Sequence, residues 1–299
     1  MSVFEGAGVA LITPMKENGE VDFEKFSAMI DYQITQGTDA ILVCGTTGEP
    51  ATMTHEEHIE CIHAGVAAAR KRVPIIAGTG SNCTKTAVYL TKEAEKAGAD
   101  AVLVVSPYYN KATQKGMEQH FTEVAKNTSL PMLLYNIAGR TGVNIQPKTI
   151  ASLVKNVDNI VGVKSSVSSL GEVVELVSLG NGEVDIYSGD DDLNVPYLSL
   201  GAKGVFSVLS NIAPKEVHDM VSLYQNGKEK ESLAIQMKYH DLIKALFMEV
   251  NPIPAKKAAE LCGWGRCGIR MPLTEMEPEH AKILEDCIKK CGIDQSCKG

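Results

Sequence analysis

The sequence predicts an α/β fold, an eight-stranded (β/α)8 TIM barrel with a C-terminal helical extension. Short apolar, β-branched runs recur eight times, on average about 28 residues apart. The runs do not alternate polar and apolar residues, which is typical of strands buried on both faces of a parallel sheet. Helical patterns separate them and no nucleotide-binding crevice motif accompanies them, which favours a closed barrel over an open sheet.

Each predicted strand ends in turn or polar residues, and the helices between strands carry their own start and stop signals. Thr54-His55-Glu56-Glu57 is typical of a capping box that opens a helix. Gly98 has the position of a C-terminal glycine and predicts the end of a helix. In chain order, the predicted strands are Gly8–Ile12, Asp39–Cys44, Val73–Ala77, Ala101–Val105, Pro131–Tyr135, Ile160–Lys164, Asp185–Ser188 and Gly204–Val208.

The strand signals stop after about Gly227. We therefore expect a catalytic barrel over residues 1–227 and a helical region over residues 228–299. The clearest helical patterns of that second region are Glu229–Val250 and Glu277–Cys291.

The composition is that of an ordinary globular protein. The 299 residues are 44% hydrophobic and 22% charged, with a formal net charge of −8, which excludes disordered and collagen-like classes. A mildly acidic chain without a basic stripe does not predict a nucleic-acid partner. No apolar run approaches the roughly 18 residues of a membrane span, and no export signal is visible at the N-terminus. We therefore expect no membrane partner and a cytoplasmic location.

The eight cysteines do not predict a metal site. The C-terminal cluster lacks the C-x2-C pairs of a zinc site, and free thiols in a reducing compartment account for it better. His55 and His58 are three residues apart, so the H-E-x-x-H spacing of a metalloprotease is absent. The clustered cysteines are Cys262, Cys267, Cys287, Cys291 and Cys297.

A barrel places its catalytic residues at the C-terminal ends of the strands and in the loops that follow. In this chain those positions carry hydroxyls, glycines, tyrosines and one lysine. They are Thr13-Pro14, Gly45-Thr46-Thr47-Gly48-Glu49, Gly78-Thr79-Gly80, Ser106-Pro107-Tyr108-Tyr109, Tyr135-Asn136, Lys164, Ser188-Gly189-Asp190-Asp191 and Ser207.

Lys164 closes a buried apolar strand. Burial disfavours the charged form of an amine, and a neutral amine is what a Schiff-base nucleophile requires. A lysine whose ammonium merely reaches solvent at the barrel mouth is the alternative. Lys203 is a weaker candidate because it precedes its strand and so falls on the opposite face.

Three further features support a site beside that lysine. The hydroxyls and backbone N–H groups of Gly45–Gly48 can hold a small carboxylate, although plain turn chemistry also accounts for this pattern. The Tyr135 phenol can shuttle protons, and the Arg140 fork suits a substrate carboxylate. Taken singly, core packing explains Tyr135 and surface charge explains Arg140. Tyr135 and Arg140 lie on one face with Lys164, and these three residues together favour an active site.

Five segments together resemble the 4-hydroxy-tetrahydrodipicolinate synthase (dihydrodipicolinate synthase) family. This family belongs to the class I pyruvate-dependent aldolases, which also include N-acetylneuraminate lyase. The Gly139-Arg140-Thr141 segment favours the dipicolinate branch over the sugar-acid lyases. The five segments are Gly45-Thr46-Thr47-Gly48-Glu49, Ser106-Pro107-Tyr108-Tyr109-Asn110, Tyr135-Asn136 with Gly139-Arg140-Thr141-Gly142, Val163-Lys164 and Asn251-Pro252-Ile253-Pro254.

The resemblance implies a lyase that condenses pyruvate with L-aspartate 4-semialdehyde through a Schiff base. The product would be 4-hydroxy-tetrahydrodipicolinate, in the first committed step of diaminopimelate and lysine biosynthesis. It implies no metal and no organic cofactor, and a homotetramer built as a dimer of dimers. In this family Lys164 would form the imine, and Tyr135 would be the general acid and base.

The resemblance also assigns roles to the residues around the imine. Thr46 and Thr47 would hold the pyruvate carboxylate, and Arg140 would orient the aldehyde substrate. Tyr109 would reach across a subunit interface to complete a proton relay through Tyr135 and Thr46. The pocket around the bound pyruvate would be lined by Gly189 and Phe206.

Some relatives are inhibited by L-lysine at a subunit interface, and the residues that match this site are His55, His58, Asn82 and Tyr108. Thr86 stands where those enzymes have a glutamate facing the ligand ammonium, and Pro50 replaces a small residue. We therefore expect weak or absent inhibition.

Two other departures are Ala138, which stands in place of the usual proline, and Ser165-Ser166, which stands where an acidic residue is common. Neither removes a reacting group, so they bear on rate and substrate affinity rather than on the type of reaction.

Three alternative functions remain. A sugar-acid aldolase of the same superfamily would share Lys164 and Tyr135 but accept a longer aldehyde. A phosphate-binding barrel isomerase would need an anion site where this chain has Gly189-Asp190-Asp191, whose carboxylates repel phosphate. A non-catalytic regulatory barrel would not trap pyruvate.

Overall fold

A computed structural model of the chain describes residues 2–167 and 169–293. Within those residues, eight parallel strands form a closed barrel in chain order, and β8 pairs with β1. The predicted TIM barrel is therefore confirmed. The strands are β1 (Gly6–Ala10), β2 (Ala40–Val43), β3 (Ile75–Gly78), β4 (Ala101–Val105), β5 (Met132–Asn136), β6 (Ile160–Ser165), β7 (Asp185–Ser188) and β8 (Gly204–Ser207).

The first strand begins and ends two residues earlier than the sequence predicts. The apolar run continues past Ala10, but the side chain of Asn211 takes over the backbone groups there. Asn211 accepts a hydrogen bond from the Ile12 N–H at 3.0 Å and donates one to the Ala10 carbonyl at 2.9 Å. A side chain from the turn after β8, the strand beside β1, thus replaces the strand ladder on that side of β1.

The barrel interior is filled by apolar side chains that are separate from the layer between strands and helices. Three aromatic rings pack together inside it. The Phe4 ring stacks on Tyr187 at 4.7 Å and meets Phe206 edge-on at 5.2 Å. Phe4 precedes β1, so this cluster fills the barrel from its N-terminal end, and its other two rings, Tyr187 and Phe206, reach the level of Lys164 on β6.

Helices surround the barrel, and their ends follow the predicted signals. The Thr54 hydroxyl accepts from the Glu57 N–H, and the Glu57 carboxylate accepts from the Thr54 N–H, which confirms the capping box. Gly98 adopts a left-handed conformation (φ 88°) at the end of α3. The helices are α1 (Phe23–Thr35), α2 (His55–Ala69), α3 (Thr84–Ala97), α4 (Gln114–Ala125), α5 (Ala138–Thr141), α6 (Pro147–Asn156), α7 (Leu170–Gly180), α8 (Asn194–Ser199), α9 (Pro214–Gln225), α10 (Glu229–Leu246), α11 (Ile253–Ala259) and α12 (Pro278–Cys291).

The C-terminal helices α10, α11 and α12 pack against the barrel. Buried side chains such as Leu242 of α10 and Ile288 of α12 belong to the same apolar cluster as the outer faces of the strands. The turn before α11 and the helix itself reach the loops at the C-terminal end of the barrel, where Asn251 contacts Thr47. The division at residue 227 stays a prediction.

Three further observations concern the described residues alone. No helix among them is long and apolar enough to cross a membrane. Their histidines, cysteines and acidic residues form no group of three or more that could hold a metal ion. Six cysteines in this part of the chain are free thiols, namely Cys44, Cys61, Cys83, Cys267, Cys287 and Cys291, and Cys297 lies outside it.

Candidate active site

Lys164 lies near the C-terminal end of β6 and points into the barrel. Its Cα is in register with Tyr135 of β5 and Tyr187 of β7, both of which belong to the interior cluster. The Lys164 Nζ lies 4.5 Å from the centre of the Tyr135 ring and 5.4 Å from that of Phe206. The residue is only 4% exposed. The structure therefore brings together three of the predicted site residues around one buried amine.

Gly189 follows β7 and lies against the stem of Lys164. A Cβ at this position would collide with the Ser166 Oγ and lie 2.8 Å from the Lys164 Cε. The Gly189 N–H donates to the Ser165 carbonyl at 2.8 Å, and the Ser166 hydroxyl donates to the Gly189 carbonyl at 3.0 Å. Glycine, which has no Cβ, is the residue that can approach the Lys164 side chain this closely.

The two serines after the lysine have defined partners. Besides the Ser166 contact with Gly189, the Tyr197 hydroxyl donates to the buried Ser165 Oγ at 3.0 Å. Ser166 thus links the end of β6 to the loop after β7, and Ser165 links it to helix α8, both through neutral hydrogen bonds.

A cavity of about 540 Å3 opens at the C-terminal end of the barrel. The predicted residues Thr46, Tyr135 and Arg140 line it. Lys164 and Phe206 do not, but both are buried and the lysine Nζ contacts the Tyr135 ring. Tyr135 therefore lines the open cavity and also contacts the Lys164 amine.

The predicted carboxylate-binding residues form a short 3-10 turn, Thr46–Gly48, directly after β2. The Thr47 side chain is buried, and its hydroxyl accepts from the Asn251 Nδ2 at 2.9 Å. Gly48 packs against Thr13, whose buried hydroxyl has no hydrogen-bond partner within the described residues. Of the two residues predicted to bind the carboxylate, Thr46 lines the cavity, whereas Thr47 is buried and is held by Asn251.

Arg140 lies on the short helix α5 that follows β5. Its guanidinium lines the cavity, and its Nη2 donates to the Asn251 carbonyl at 2.8 Å. The Arg140 and Thr141 N–H groups both donate to the Ile137 carbonyl, and the Gly142 N–H donates to Ala138. These backbone hydrogen bonds form the helical turn over residues 137–142, in which Ala138 stands where the resemblance leads us to expect a proline.

Tyr109 does not reach the other predicted residues within one chain. Its side chain is 89% exposed, and it is not among the residues that line the cavity. Its backbone has a left-handed φ of 74°, and its N–H lies 3.4 Å from the Thr141 carbonyl. The neighbouring Tyr108 is 39% exposed and does line the cavity.

The predicted lysine-binding residues lie at the same cavity, with one exception. His55, His58 and Tyr108 line it, as do Pro50 and Thr86, whereas Asn82 does not. The role of these residues stays a prediction.

The imidazole of His58 is buried beneath the cavity. Its Nε2 lies 2.7 Å from the Gly78 carbonyl, so this nitrogen must donate. Burial lowers the pKa of His58, which favours a neutral ring at physiological pH.

Asp191, in the loop after β7, occupies the backbone groups that an anion site would use. Its Oδ2 accepts from the N–H groups of Val208 and Leu209 at 2.8 and 3.0 Å. Burial raises the pKa of Asp191, and the hydrogen bonds that it accepts act in the opposite direction. A phosphate site after the seventh and eighth strands is therefore already filled by a carboxylate of the chain.

Lys203 lies before β8, at the opposite end of the barrel, where its Nζ pairs with Glu5 at 3.1 Å on the surface. That position agrees with its being the weaker candidate for the nucleophile.

Three residues that sequence reasoning gave no role also reach the site: Glu49, Asn251 and Lys256. Asn251 contacts both Thr47 and Arg140. Lys256 forms a buried ion pair with Glu49, which directly follows the Thr46–Gly48 turn. The sequence signals for the first two are the Gly45-Thr46-Thr47-Gly48-Glu49 segment, which ends in Glu49, and the Asn251-Pro252-Ile253-Pro254 segment, which interrupts the helical pattern of the C-terminal region.

Known proteins resemble this chain over nearly its whole length. The 4-hydroxy-tetrahydrodipicolinate synthase of Lachnoclostridium phytofermentans is 58% identical over 98% of this chain and 100% of its own length. The crystal structure of dihydrodipicolinate synthase from Aquifex aeolicus has a TM-score of 0.95 at 45% identity, covering 97% of this chain and 99% of that one.

A third relative has been crystallised with a ligand. The chloride-inhibited dihydrodipicolinate synthase of Acinetobacter baumannii, complexed with pyruvate, has a TM-score of 0.95 at 40% identity and covers 97% of this chain and 99% of its own. Residues 3–291 match the profile of the dihydrodipicolinate synthetase family. This chain therefore belongs to the dihydrodipicolinate synthetase family.

Proposed function

We propose that the chain is a lyase that condenses pyruvate with L-aspartate 4-semialdehyde to give 4-hydroxy-tetrahydrodipicolinate, the first committed step of diaminopimelate and lysine biosynthesis. The observation that carries the proposal is the buried Lys164 amine beside the Tyr135 ring, next to a cavity lined by Thr46 and Arg140. Relatives that match nearly the whole chain bear the name of this activity.

The first half of the reaction forms a Schiff base. The neutral Lys164 amine attacks the pyruvate ketone, and Tyr135 supplies the proton with which the hydroxyl leaves as water. The resulting iminium acts as an electron sink, so the pyruvate methyl group loses a proton and an enamine forms. Tyr135 suits the role of acid and base, since the centre of its ring lies 4.5 Å from the amine.

The second half forms the carbon–carbon bond and releases the enzyme. The enamine carbon adds to the aldehyde carbon of the second substrate, and the aldehyde oxygen takes up a proton. The substrate's own amine then attacks the imine carbon and displaces Lys164, which closes the six-membered ring and restores the free amine. No metal or organic cofactor is required, because the lysine supplies the electrophilic activation.

The two substrate carboxylates go to different groups. The hydroxyls and N–H groups of the Thr46–Gly48 turn suit the pyruvate carboxylate, while Gly189 and Phe206 enclose the remainder of the pyruvate. The Arg140 guanidinium, at the open cavity, suits the carboxylate of the aldehyde substrate. The pyruvate complex of the Acinetobacter baumannii relative supports a pyruvate site in this family.

We also propose that Tyr109 acts in a neighbouring subunit. An 89% exposed tyrosine held at a left-handed backbone position is available to a second copy but not to its own Tyr135. A relay from Tyr135 through Thr46 to the Tyr109 of another subunit requires at least a dimer. The full assembly that we expect is a homotetramer, in the cytoplasm.

Two rival activities are less well supported. Relatives that are 47% to 58% identical to this chain are named for the synthase, which favours it over a sugar-acid aldolase. Asp191 fills the place that a phosphate-binding isomerase would need.

A direct assay tests the proposal. The purified protein is incubated with pyruvate and either L-aspartate 4-semialdehyde or N-acetylmannosamine, and product formation is followed for both. We expect turnover with the semialdehyde only and its near-complete loss in Lys164→Arg, since a guanidinium stays protonated and cannot form the imine. Turnover with the sugar alone, or with neither aldehyde, would contradict the proposed function.

A further inference from the structure

A buried ion pair lies directly behind the Thr46–Gly48 turn. Glu49 ends this turn, and its N–H donates to the Thr46 carbonyl at 3.1 Å. Its Oε2 lies 2.7 Å from the Nζ of Lys256 on helix α11. The two side chains are only 2% and 4% exposed, respectively, so the pair is shielded from solvent.

Every charged atom of this pair has a partner. The Glu49 Oε1 accepts from the Arg270 N–H and from the Thr52 hydroxyl, each at 3.0 Å. The Lys256 Nζ also donates to the Gly268 carbonyl at 2.7 Å. The carboxylate is therefore held from two directions by a C-terminal segment that is remote in sequence.

The backbone of Glu49 needs such a restraint. Its φ of 61° and ψ of 36° lie in the left-handed region, which non-glycine residues seldom adopt because the Cβ approaches the following carbonyl. This conformation reverses the chain straight after Thr46 and Thr47. Freed from its partners, Glu49 can relax to a right-handed or extended backbone and carry the turn with it.

Stability alone is a poor explanation for the pair. Removing two charges from water is costly, and well-packed apolar residues often stabilise a core as much as a buried ion pair does. What an ion pair adds is one defined geometry, because carboxylate and ammonium must meet at hydrogen-bond distance. Here that geometry is imposed on the residue next to the Thr46–Gly48 turn.

The same C-terminal segment touches the turn a second time. The Asn251 Nδ2 donates to the Thr47 hydroxyl at 2.9 Å. Asn251 therefore holds the middle of the turn, and Glu49 holds its end. By contrast, the neighbouring Lys257 pairs with Glu260 of its own segment at 3.2 Å and is partly exposed. It is therefore a matched control.

We propose that Glu49 is a positioning residue for the substrate carboxylate: clamped by Lys256 and by the Arg270 backbone, it holds Thr46 and Thr47 in the geometry that binds pyruvate. The inference rests on the proposed function, in which this turn receives the carboxylate. It makes the C-terminal helical region part of substrate binding.

The test is a titration of pyruvate in the presence of borohydride, which reduces the imine and fixes it on the protein. Two quantities are measured for each variant: the pyruvate concentration at half-maximal labelling and the maximal labelled fraction of folded protein. The variants are Lys256→Met, which removes the cation that pairs with the Glu49 Oε2, and Glu49→Gln, which keeps the shape of the side chain but not its charge. Lys257→Met is the control.

We expect half-maximal labelling to need about five to ten times more pyruvate in both variants, an effect of the size of one ordinary hydrogen bond, because the turn is loosened while Thr46 and Thr47 themselves are kept. The maximal labelled fraction stays near that of the unsubstituted protein, and Lys257→Met changes neither quantity. A role in stability alone would lower the folded amount without moving the half-maximal concentration.

Three outcomes would overturn the inference: a shift below twofold in the folded variants, an equal shift in Lys257→Met, or loss of the folded state in both test variants. The last outcome would assign the pair to stability. Absence of labelling in the unsubstituted protein would instead contradict the proposed function itself.

Discussion

At the scale of single residues, the site depends on how closely side chains surround the Lys164 amine. Tyr135 and Phe206 pack against it from within the barrel, and Gly189 lies against its stem. Such contacts restrict the rotamers of a long side chain, so the amine is held where the substrate ketone must arrive. Small changes of volume at this point should therefore act on imine formation directly.

Gly189→Ala tests the close packing. The new Cβ would lie 2.8 Å from the Lys164 Cε and would also displace Ser166. We expect borohydride labelling with pyruvate to slow by about tenfold or more, since a displacement of about 1 Å at the reacting group has effects of that order. Gly116→Ala on helix α4, where a Cβ meets nothing closer than 3.5 Å, is the control. Equal labelling rates in both variants would contradict this packing argument.

Arg140→Ala tests the assignment of the two carboxylates. Losing a charge-assisted contact costs about 1.5–3 kcal/mol, so the KM for L-aspartate 4-semialdehyde should rise roughly ten- to a hundredfold. Labelling by pyruvate should persist, because we assign the pyruvate carboxylate to Thr46 and Thr47 and not to Arg140. Arg140→Lys keeps the charge but not the fork and should give an intermediate KM. An unchanged KM with normal turnover would show that Arg140 does not contact this substrate.

At the scale of elements, the sequence predicted those parts whose signal is local. The eight strands appear as apolar runs, and Ala101–Val105 and Asp185–Ser188 have the predicted bounds. Helix α10 ends at Leu246 rather than at the predicted Val250. The extra residues, Phe247 to Val250, continue the apolar pattern, but Phe247, Met248 and Val250 are exposed, so the pattern did not indicate burial there.

The site shows the same limit. Lys164 and Tyr135 were predicted because a strand end locates them, and the structure places them in contact. The Glu49–Lys256 pair was not predicted, because its partners are 207 positions apart and nothing local to either residue indicates the other. Where such distant partners meet depends on tertiary packing.

The helix starts at the cavity bear on regulation by L-lysine. His55 begins α2 and Thr86 lies in the first turn of α3, and both line the cavity. An ammonium that leaves water needs a carboxylate partner, and a threonine hydroxyl replaces it only in part. We expect binding to be weaker by roughly ten- to a hundredfold than with a glutamate at this position.

Titration of L-lysine in the coupled assay measures this effect, and Thr86→Glu is the matched variant. Inhibition should be weak or absent in the unsubstituted protein and should strengthen in Thr86→Glu. Half-inhibition at sub-millimolar lysine without the substitution would contradict the role given to Thr86.

In the whole molecule, one chain holds the proposed nucleophile Lys164, the proposed acid and base Tyr135 and the cavity, but not the complete proposed relay. Tyr109 projects into solvent, away from the residues that it is expected to serve. The sequence predicted the barrel, the family and the reacting lysine from local patterns and from resemblance. Which surfaces meet in the assembly depends on contacts between chains, which no local pattern records.

Tyr109→Phe tests the relay between subunits. The substitution removes one hydroxyl and no packing, so turnover should fall while the melting temperature stays the same. Tyr224→Phe on the outer helix α9 is the control and should leave turnover unchanged. Dissociation of the oligomer, followed by sedimentation with a parallel activity assay, should have an effect similar to that of Tyr109→Phe. Full activity in a demonstrated monomer would remove Tyr109 from the mechanism.

The central claim is that pyruvate forms an imine with Lys164, and borohydride reduction followed by peptide mass mapping tests it most directly. Protein is incubated with pyruvate, reduced, digested and mapped, with Lys164→Arg treated in parallel. We expect one adduct, on the peptide that contains Lys164, and none in the variant. An adduct on Lys203, on Lys256 or on any other lysine, or no adduct at all, would contradict it.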